Sequence, residues 1–266
     1  MRSERPTVTN ILGQEIHAVQ YEDVLRHVDQ VIAAGRSSYC VTANIDHLMK
    51  LRRDAEFRVV YSGADLVVAD GVPLLWAARF LGSPLPARVN GTALFEHIAA
   101  HAARAGYALF FLGGAGDSAR RAANVLTVRY PGLQVVGVSA PPQGFDLDER
   151  QNSTLESQIA ASGAQILIVG LGAPKQEKWI AKHARAAGVN FAVGVGVSFS
   201  LVAGTIARAP AWMQRNGLEW LWRLSQEPGR LWRRYLIEDM PFFWLVARQW
   251  WTGPPAIAST PEESPQ

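Results

Sequence analysis

The stretch ILIVGLGAPKQEKW, residues 166–179, joins a short, wholly apolar β-branched run to a glycine turn, a proline and an amphipathic charged segment. A run of that length and composition reads as a buried strand, and a proline followed by a 3.6-residue pattern reads as a helix start. The same alternation repeats along the chain. Candidate strands fall at Tyr39 to Thr42, Leu66 to Val68, Ala108 to Leu112, Gln134 to Val138, Ile166 to Val169 and Phe191 to Val193. Candidate helices fall at Tyr21 to Ala34, Val72 to Leu81, Thr92 to Ala105, Ser118 to Tyr130, Asp148 to Ala161 and Pro174 to Ala187. Strands that are apolar throughout and separated by helices predict an α/β fold, a Rossmann-like and mostly parallel sheet with helices on both faces. Ligands of such a sheet sit outside the C-terminal ends of its strands. Ahead of it, Val8 to Val19 with Gly13-Gln14 in the middle predicts a small hairpin.

The 266 residues, 48% of them hydrophobic, suffice for one large domain with an appendage. The expected organisation is a catalytic α/β domain over residues 1–207, a C-terminal helical appendage over 208–252 and a disordered proline- and serine-rich tail over 253–266. A balance of 26 basic against 23 acidic residues is too mild to argue for nucleic acid. The single Cys40 excludes an internal disulfide and fits a reducing compartment. The N-terminus lacks the apolar run of a signal peptide, and Met240 to Val246 falls well short of the ~20 residues that cross a bilayer.

Between Arg208 and Arg248 arginines alternate with bulky aromatics, including Trp212, Trp220, Trp222, Trp232, Trp244, Trp250 and Trp251 at its far end. Arginine grips phosphate through a planar fork and tryptophan settles at the hydrocarbon–water boundary, so the segment suits a membrane surface carrying phosphorylated lipid. A packed helical pair with arginines facing water fits the same pattern, and both can hold at once. Asp70, with Gly71 after it, ends a strand; a carboxylate there serves either as a general base or as the cap of the helix at Val72. The turn Leu112-Gly113-Gly114-Ala115-Gly116 fits an anion at a helix N-terminus or tight packing equally well. Its spacing is not G-x-G-x-x-G. Gly172, Lys175, Gln176 and Glu177 place a glycine, a cation, an amide and an acid at another strand end. His47 reads as a packing residue, and the six histidines have no metal-ligand spacing.

In combination, TAN (42–44), ADG (69–71), RVNG (88–91), FLGG (111–114), YPGL (130–133), GLGAPKQEKW (170–179), RAPAWM (208–213) and GLEWLWRLSQEPGRLWRRY (217–235) resemble the WecG/TagA/CpsF glycosyltransferases. The resemblance runs from about Asn10 to about Tyr235. It implies an inverting transferase that moves a sugar from a UDP-sugar to a polyprenyl-diphosphate-linked acceptor, in teichoic acid or other cell-surface polysaccharide synthesis. The donor candidates are UDP-N-acetylmannosamine, its uronic acid and UDP-glucose. The resemblance assigns Asp70 as the base, with Thr42 and Gln176 beside it in catalysis and Asn44 orienting substrate. It gives Arg88 as a substrate-site cation and Arg223, Arg230 and Arg233 as contacts to diphosphate. Gly113, Gly114, Gly172, Lys175 and Glu177 complete the expected substrate-binding set. No metal or other cofactor is expected, because arginines are available to take the place of a divalent ion that a D-x-D pair would hold against a diphosphate. The implied location is cytoplasmic, peripheral to the inner face of the membrane, with room for a homo-oligomer. Val197 and Ser200 stand where the family commonly has glycine and aspartate, a difference that bears on the donor sugar. Two other classes share parts of the pattern: a nucleotide-binding oxidoreductase, and a non-catalytic lipid-binding scaffold of a polysaccharide assembly complex.

Overall fold

The computed structural model describes residues 6–253, so the expected tail at 253–266 lies, but for its first residue, outside the described residues. The chain opens with the hairpin, β1 (Val8–Ile11) and β2 (Gln14–His17), paired antiparallel. Leu12 and Gly13 form its turn with φ of 55° and 85°, the doubly left-handed geometry whose twist matches that of the strands. Then follow α1 (Tyr21–Ala33), β3 (Ser38–Ala43), α2 (Ile45–Leu51), α3 (Ala55–Ser62), β4 (Leu66–Ala69), α4 (Val72–Phe80) and α5 (Gly91–Ala105). The second half runs β5 (Ala108–Gly113), α6 (Ser118–Arg129), β6 (Gln134–Ser139), α7 (Glu149–Ala161), β7 (Ile166–Gly170), α8 (Lys175–His183), β8 (Phe191–Gly194) and α9 (Ser198–Val202).

All six expected strands are present and form one parallel sheet in the order β4-β3-β8-β7-β5-β6. Residue alternation sorts the side chains. Ile166 and Ile168 join a core with α1, α5, α6 and α9, whereas Leu167 and Val169 join one with α7 and α8. Beside the latter, Val41, Ala43, Val67 and Ala69 pack with the hairpin, α2, α3 and α4. The chain leaves β5 toward β6 and leaves β7 the opposite way toward β8, so these neighbouring strands send their helices to opposite faces. Their C-terminal ends therefore open into a crevice, the position where such sheets bind ligands.

The appendage consists of α10 (Ala211–Arg215), α11 (Glu219–Gln226), α12 (Pro228–Arg233), a π-helical turn (Arg234–Glu238) and α13 (Pro241–Thr252). Its last helix is anchored. Phe242, Leu245 and Val246 belong to the core shared with the hairpin, α2 and α4. Gln249 adds a bridge: its Oε1 accepts from the Leu12 N–H (2.7 Å) and its Nε2 donates to the Asn10 carbonyl (2.9 Å). Trp212, Trp220, Trp232, Trp244, Trp250 and Trp251 are exposed, as are Trp76 and Phe80 on α4. Phe80 lies against Trp250 with ring centroids 5.5 Å apart, so the two helices present one aromatic surface. No helix among the described residues is long and apolar enough to cross a membrane.

Candidate active site

Asp70 continues the strand pairing past β4, its N–H donating to the Ala43 carbonyl at 2.8 Å. Gly71, and not Asp70, is the N-cap residue of α4. The Asp70 carboxylate turns instead to the start of α5, where Oδ1 accepts from Asn90 Nδ2 (2.8 Å) and the Gly91 N–H (3.3 Å). Asn90 is itself fixed because its Oδ1 caps α5 through the Thr92 and Ala93 N–H groups. Arg88 Nε donates to the Asp70 carbonyl at 2.5 Å, and its Nη2 lies 3.8 Å from Asp70 Oδ1. That same Nη2 donates to Glu219 Oε2 at the start of α11.

Thr42 and Asn44 belong to the same cluster. Thr42 Oγ1 lies 3.6 Å from where a Gly91 Cβ would stand, and it donates to the Gly194 carbonyl at 3.3 Å. Asn44 caps α2 by accepting from the His47 N–H at 3.1 Å, beside Gly71. The Asp70 side chain keeps 24% of its surface exposed, so it is reachable while largely withdrawn from water. Burial pushes its carboxyl above the ordinary range; Arg88 pulls it back and Glu219 pushes it up further. A carboxylate so placed is a stronger base than a free aspartate.

A second cluster forms at the ends of β5, β7 and β8. Gln176 is buried, and its Oε1 accepts from the N–H groups of Gly172 (3.2 Å) and Gly196 (3.0 Å), tying two loops together. Its Nε2 donates to Glu177 Oε1 at 2.6 Å. Glu177 is buried as well, 3.9 Å from His47 Nε2, and its Oε2 has no hydrogen-bond partner among the described residues. Burial lowers the His47 pKa, which favours the neutral ring. Gln176 and Glu177 thus point inward and present the cleft with glycine backbone. Gly172 and Gly196 both have positive φ and open space where a Cβ would project. The glycines of β5 are needed for packing: a Cβ on Gly113 would lie 2.8 Å from the Gly170 carbonyl, and the Gly114 N–H donates to that same oxygen at 2.8 Å. Lys175 is held by Asp146 at 2.8 Å. The two clusters meet at Gly194, which receives the Thr42 bond and lies against Gln176.

The appendage places its cations unevenly. Arg223 is half-buried on α11. Arg233 is exposed, with Nε 3.5 Å from Glu238 Oε1. Arg230 lies in α12, but its side chain is outside the described part of the structure. Arg234, absent from the expected set, lies 3.3 Å from Asp46 Oδ2 and 3.8 Å from Asp239 Oδ2, fastening the π-turn to α2. Next to it a cleft of about 410 Å³ is lined by Asp46, Lys50, Pro174, Glu238 and Asp239.

Asp239 is buried with Oδ1 unpartnered among the described residues, and burial raises its pKa from 3.8 to about 6. A carboxyl whose pKa is higher in the folded state stabilises the fold when protonated and costs stability when ionised. The cost is absent below the unfolded value of 3.8, grows as pH rises to about 6 and is complete above it. Asp239→Asn is therefore expected to raise stability at pH 7.5 by about 1–3 kcal/mol, with the gain vanishing toward pH 4. Thermal melts of both proteins across that range check it; a variant less stable at pH 7.5 contradicts it.

A six-stranded parallel sheet covered on both faces, with a carboxylate and a guanidinium 3.8 Å apart beyond the end of an edge strand, places the chain in the Rossmann-like α/β class. Residues 9–255 match the family described as Glycosyl transferase WecG/TagA/CpsF family. The chain belongs to that family of glycosyl transferases. Among its relatives is an N-acetylglucosaminyldiphosphoundecaprenol N-acetyl-beta-D-mannosaminyltransferase of Bacillus spizizenii, 31% identical over 201 residues that make up 76% of each chain. A protein of the same description from Bacillus subtilis is 28% identical over 232 residues, 86% of each chain.

Proposed function

We propose that this enzyme transfers a sugar from a UDP-sugar to a polyprenyl-diphosphate-linked acceptor, with N-acetylmannosamine as the first candidate donor sugar and a lipid-diphosphate-linked N-acetylglucosamine as the first candidate acceptor. Both candidates come from the names of the relatives. The observation that carries the reading is Asp70: a reachable carboxylate with raised basicity at a strand end, with a guanidinium beside it. In a single displacement Asp70 takes the proton of the acceptor hydroxyl as that oxygen bonds to the anomeric carbon. The bond from this carbon to UDP breaks, UDP leaves with the electron pair, and the configuration inverts. Thr42 and Asn44 border the base and orient the reacting sugars. The nucleotide belongs in the glycine-lined crevice at β5 and β7, where backbone can approach it closely. Arg88, Arg223, Arg230 and Arg233 meet the diphosphate charge in place of a divalent ion.

The exposed aromatics of α13 and α4, with Arg79 and Arg248 among them, support a peripheral attachment to the cytoplasmic membrane on the face where UDP-sugars are available. Ligand-dependent melting in EDTA tests the donor reading. UDP and at least one UDP-sugar are expected to raise the melting temperature, and NAD is expected to leave it unchanged. A shift with NAD but none with UDP overturns the reading, and a UDP shift seen with magnesium but not with EDTA overturns its metal-free part.

A further inference from the structure

The appendage touches the catalytic cluster at two neighbouring points. Gly217, at φ of 71°, packs so closely on the first residue of α4 that an added Cβ would stand 2.9 Å from Val72 Cβ. Two residues later Glu219 opens α11 and accepts a charge-assisted hydrogen bond from Arg88 Nη2. Val72 follows Asp70 by two positions, so the docking of α11 is read out beside the base. Arg88 lies between two carboxylates. Its Nη2 is bonded to Glu219 and stays 3.8 Å from Asp70 Oδ1, too far for a hydrogen bond, while Nε is tied to the Asp70 backbone. Among the described residues, the other carboxylate within reach of a guanidinium pivoting on that Nε contact is Asp70.

We infer that Glu219 is a positioning residue that holds the Arg88 guanidinium away from the Asp70 carboxylate, so that the base is free to accept a proton only while α11 is docked. This rests on the role given to Asp70 above. Docked, Arg88 is divided between Glu219 and the Asp70 backbone, and Asp70 Oδ1 keeps neutral donors from Asn90 and Gly91. Undocked, the same guanidinium closes on Asp70 as a direct ion pair and quenches it. Among the described residues, the charged and titratable groups that act on Asp70 include Arg88, Glu219 and His47, with Tyr21 nearby, and of these Glu219 is the carboxylate. Its removal acts twice in one direction: a like charge disappears, and a cation is released onto the base.

The test uses the full-length chain. Carbon-13 carboxylate NMR, with the Asp70 signal assigned by its loss in Asp70→Asn, follows the Asp70 titration in the wild type, Glu219→Gln and Glu219→Asp. The midpoint is expected to fall in Glu219→Gln by on the order of one pH unit and to return partway in Glu219→Asp. The acid limb of kcat/KM should move to lower pH in parallel, with kcat at neutral pH lowered about 3- to 10-fold by the weaker base. A midpoint that stays or rises in Glu219→Gln overturns the inference, as does equal loss of activity in both variants without a titration shift, which marks a packing role. The NMR result does not depend on turnover. Absence of transfer by the wild type would sink the proposed function and leave this outcome readable.

Discussion

Asp70→Asn is expected to lower kcat by a factor of ~10² to 10⁴, the range for loss of a general base, while UDP still raises the melting temperature. The substitution is nearly isosteric. An amide oxygen can still accept from Asn90 Nδ2 and the Gly91 N–H, so the start of α5 should hold its place. What disappears is the charge and the capacity to take a proton. Initial rates over a pH series, with melts of both proteins alongside, check it. Activity within a few-fold of wild type in a folded variant would remove Asp70 from the role.

The second large effect concerns the exposed aromatic face. Replacing Trp244, Trp250 and Trp251 with serine removes three exposed indoles and none of the buried contacts of Phe242, Leu245 and Val246. Partition onto phosphatidylglycerol vesicles is expected to fall on the order of 10²-fold, with a melting temperature close to that of the wild type. Unchanged sedimentation with vesicles would show that these rings do not meet lipid. Phe242→Ala forms the contrast, since it opens a core cavity and should cost about 3–5 kcal/mol. For the same reason, deleting α13 outright would confuse lipid binding with stability.

This division of α13 could be read in the sequence. Phe242, Leu245, Val246 and Gln249 recur at helical spacing and are buried, while Trp244, Arg248 and Trp251 fall on the other side. The packed-helix reading describes the buried face of α13, and the exposed face is the one that the proposed membrane attachment would use. The sheet was legible for a similar reason: strands covered on both faces are apolar throughout, and such runs stand out. Helix α2 was not, because it buries Asp46, His47, Leu48, Met49 and Leu51, leaving no polar face to reveal a period.

At the site, Thr42, Asn44 and Asp70 announce themselves as polar residues at strand ends, whereas Arg88, in the loop between α4 and α5, was marked only by the RVNG motif of the resemblance; the structure brings the four together. The orientation of Gln176 and Glu177 was hidden. A polar residue in a first helical turn looks the same whether it faces the cleft or ties two loops beneath it. Glu219 was out of reach of pattern reading because its partner Arg88 is 131 residues away, and Arg234 because Asp46 lies on a helix without a pattern. Long-range ion pairs leave no periodic trace. Only the folded sheet brings their ends into range.

Incubation of the wild-type enzyme with a panel of UDP-sugars and a synthetic polyprenyl-diphosphate-linked N-acetylglucosamine, in EDTA and read by mass spectrometry, tests the proposed transfer most directly. The expected result is release of UDP together with an acceptor heavier by one sugar residue, with UDP-N-acetylmannosamine first among the donors, and neither product from Asp70→Asn. An acceptor whose mass is unchanged with every donor, in a protein that is folded and binds UDP, would contradict it.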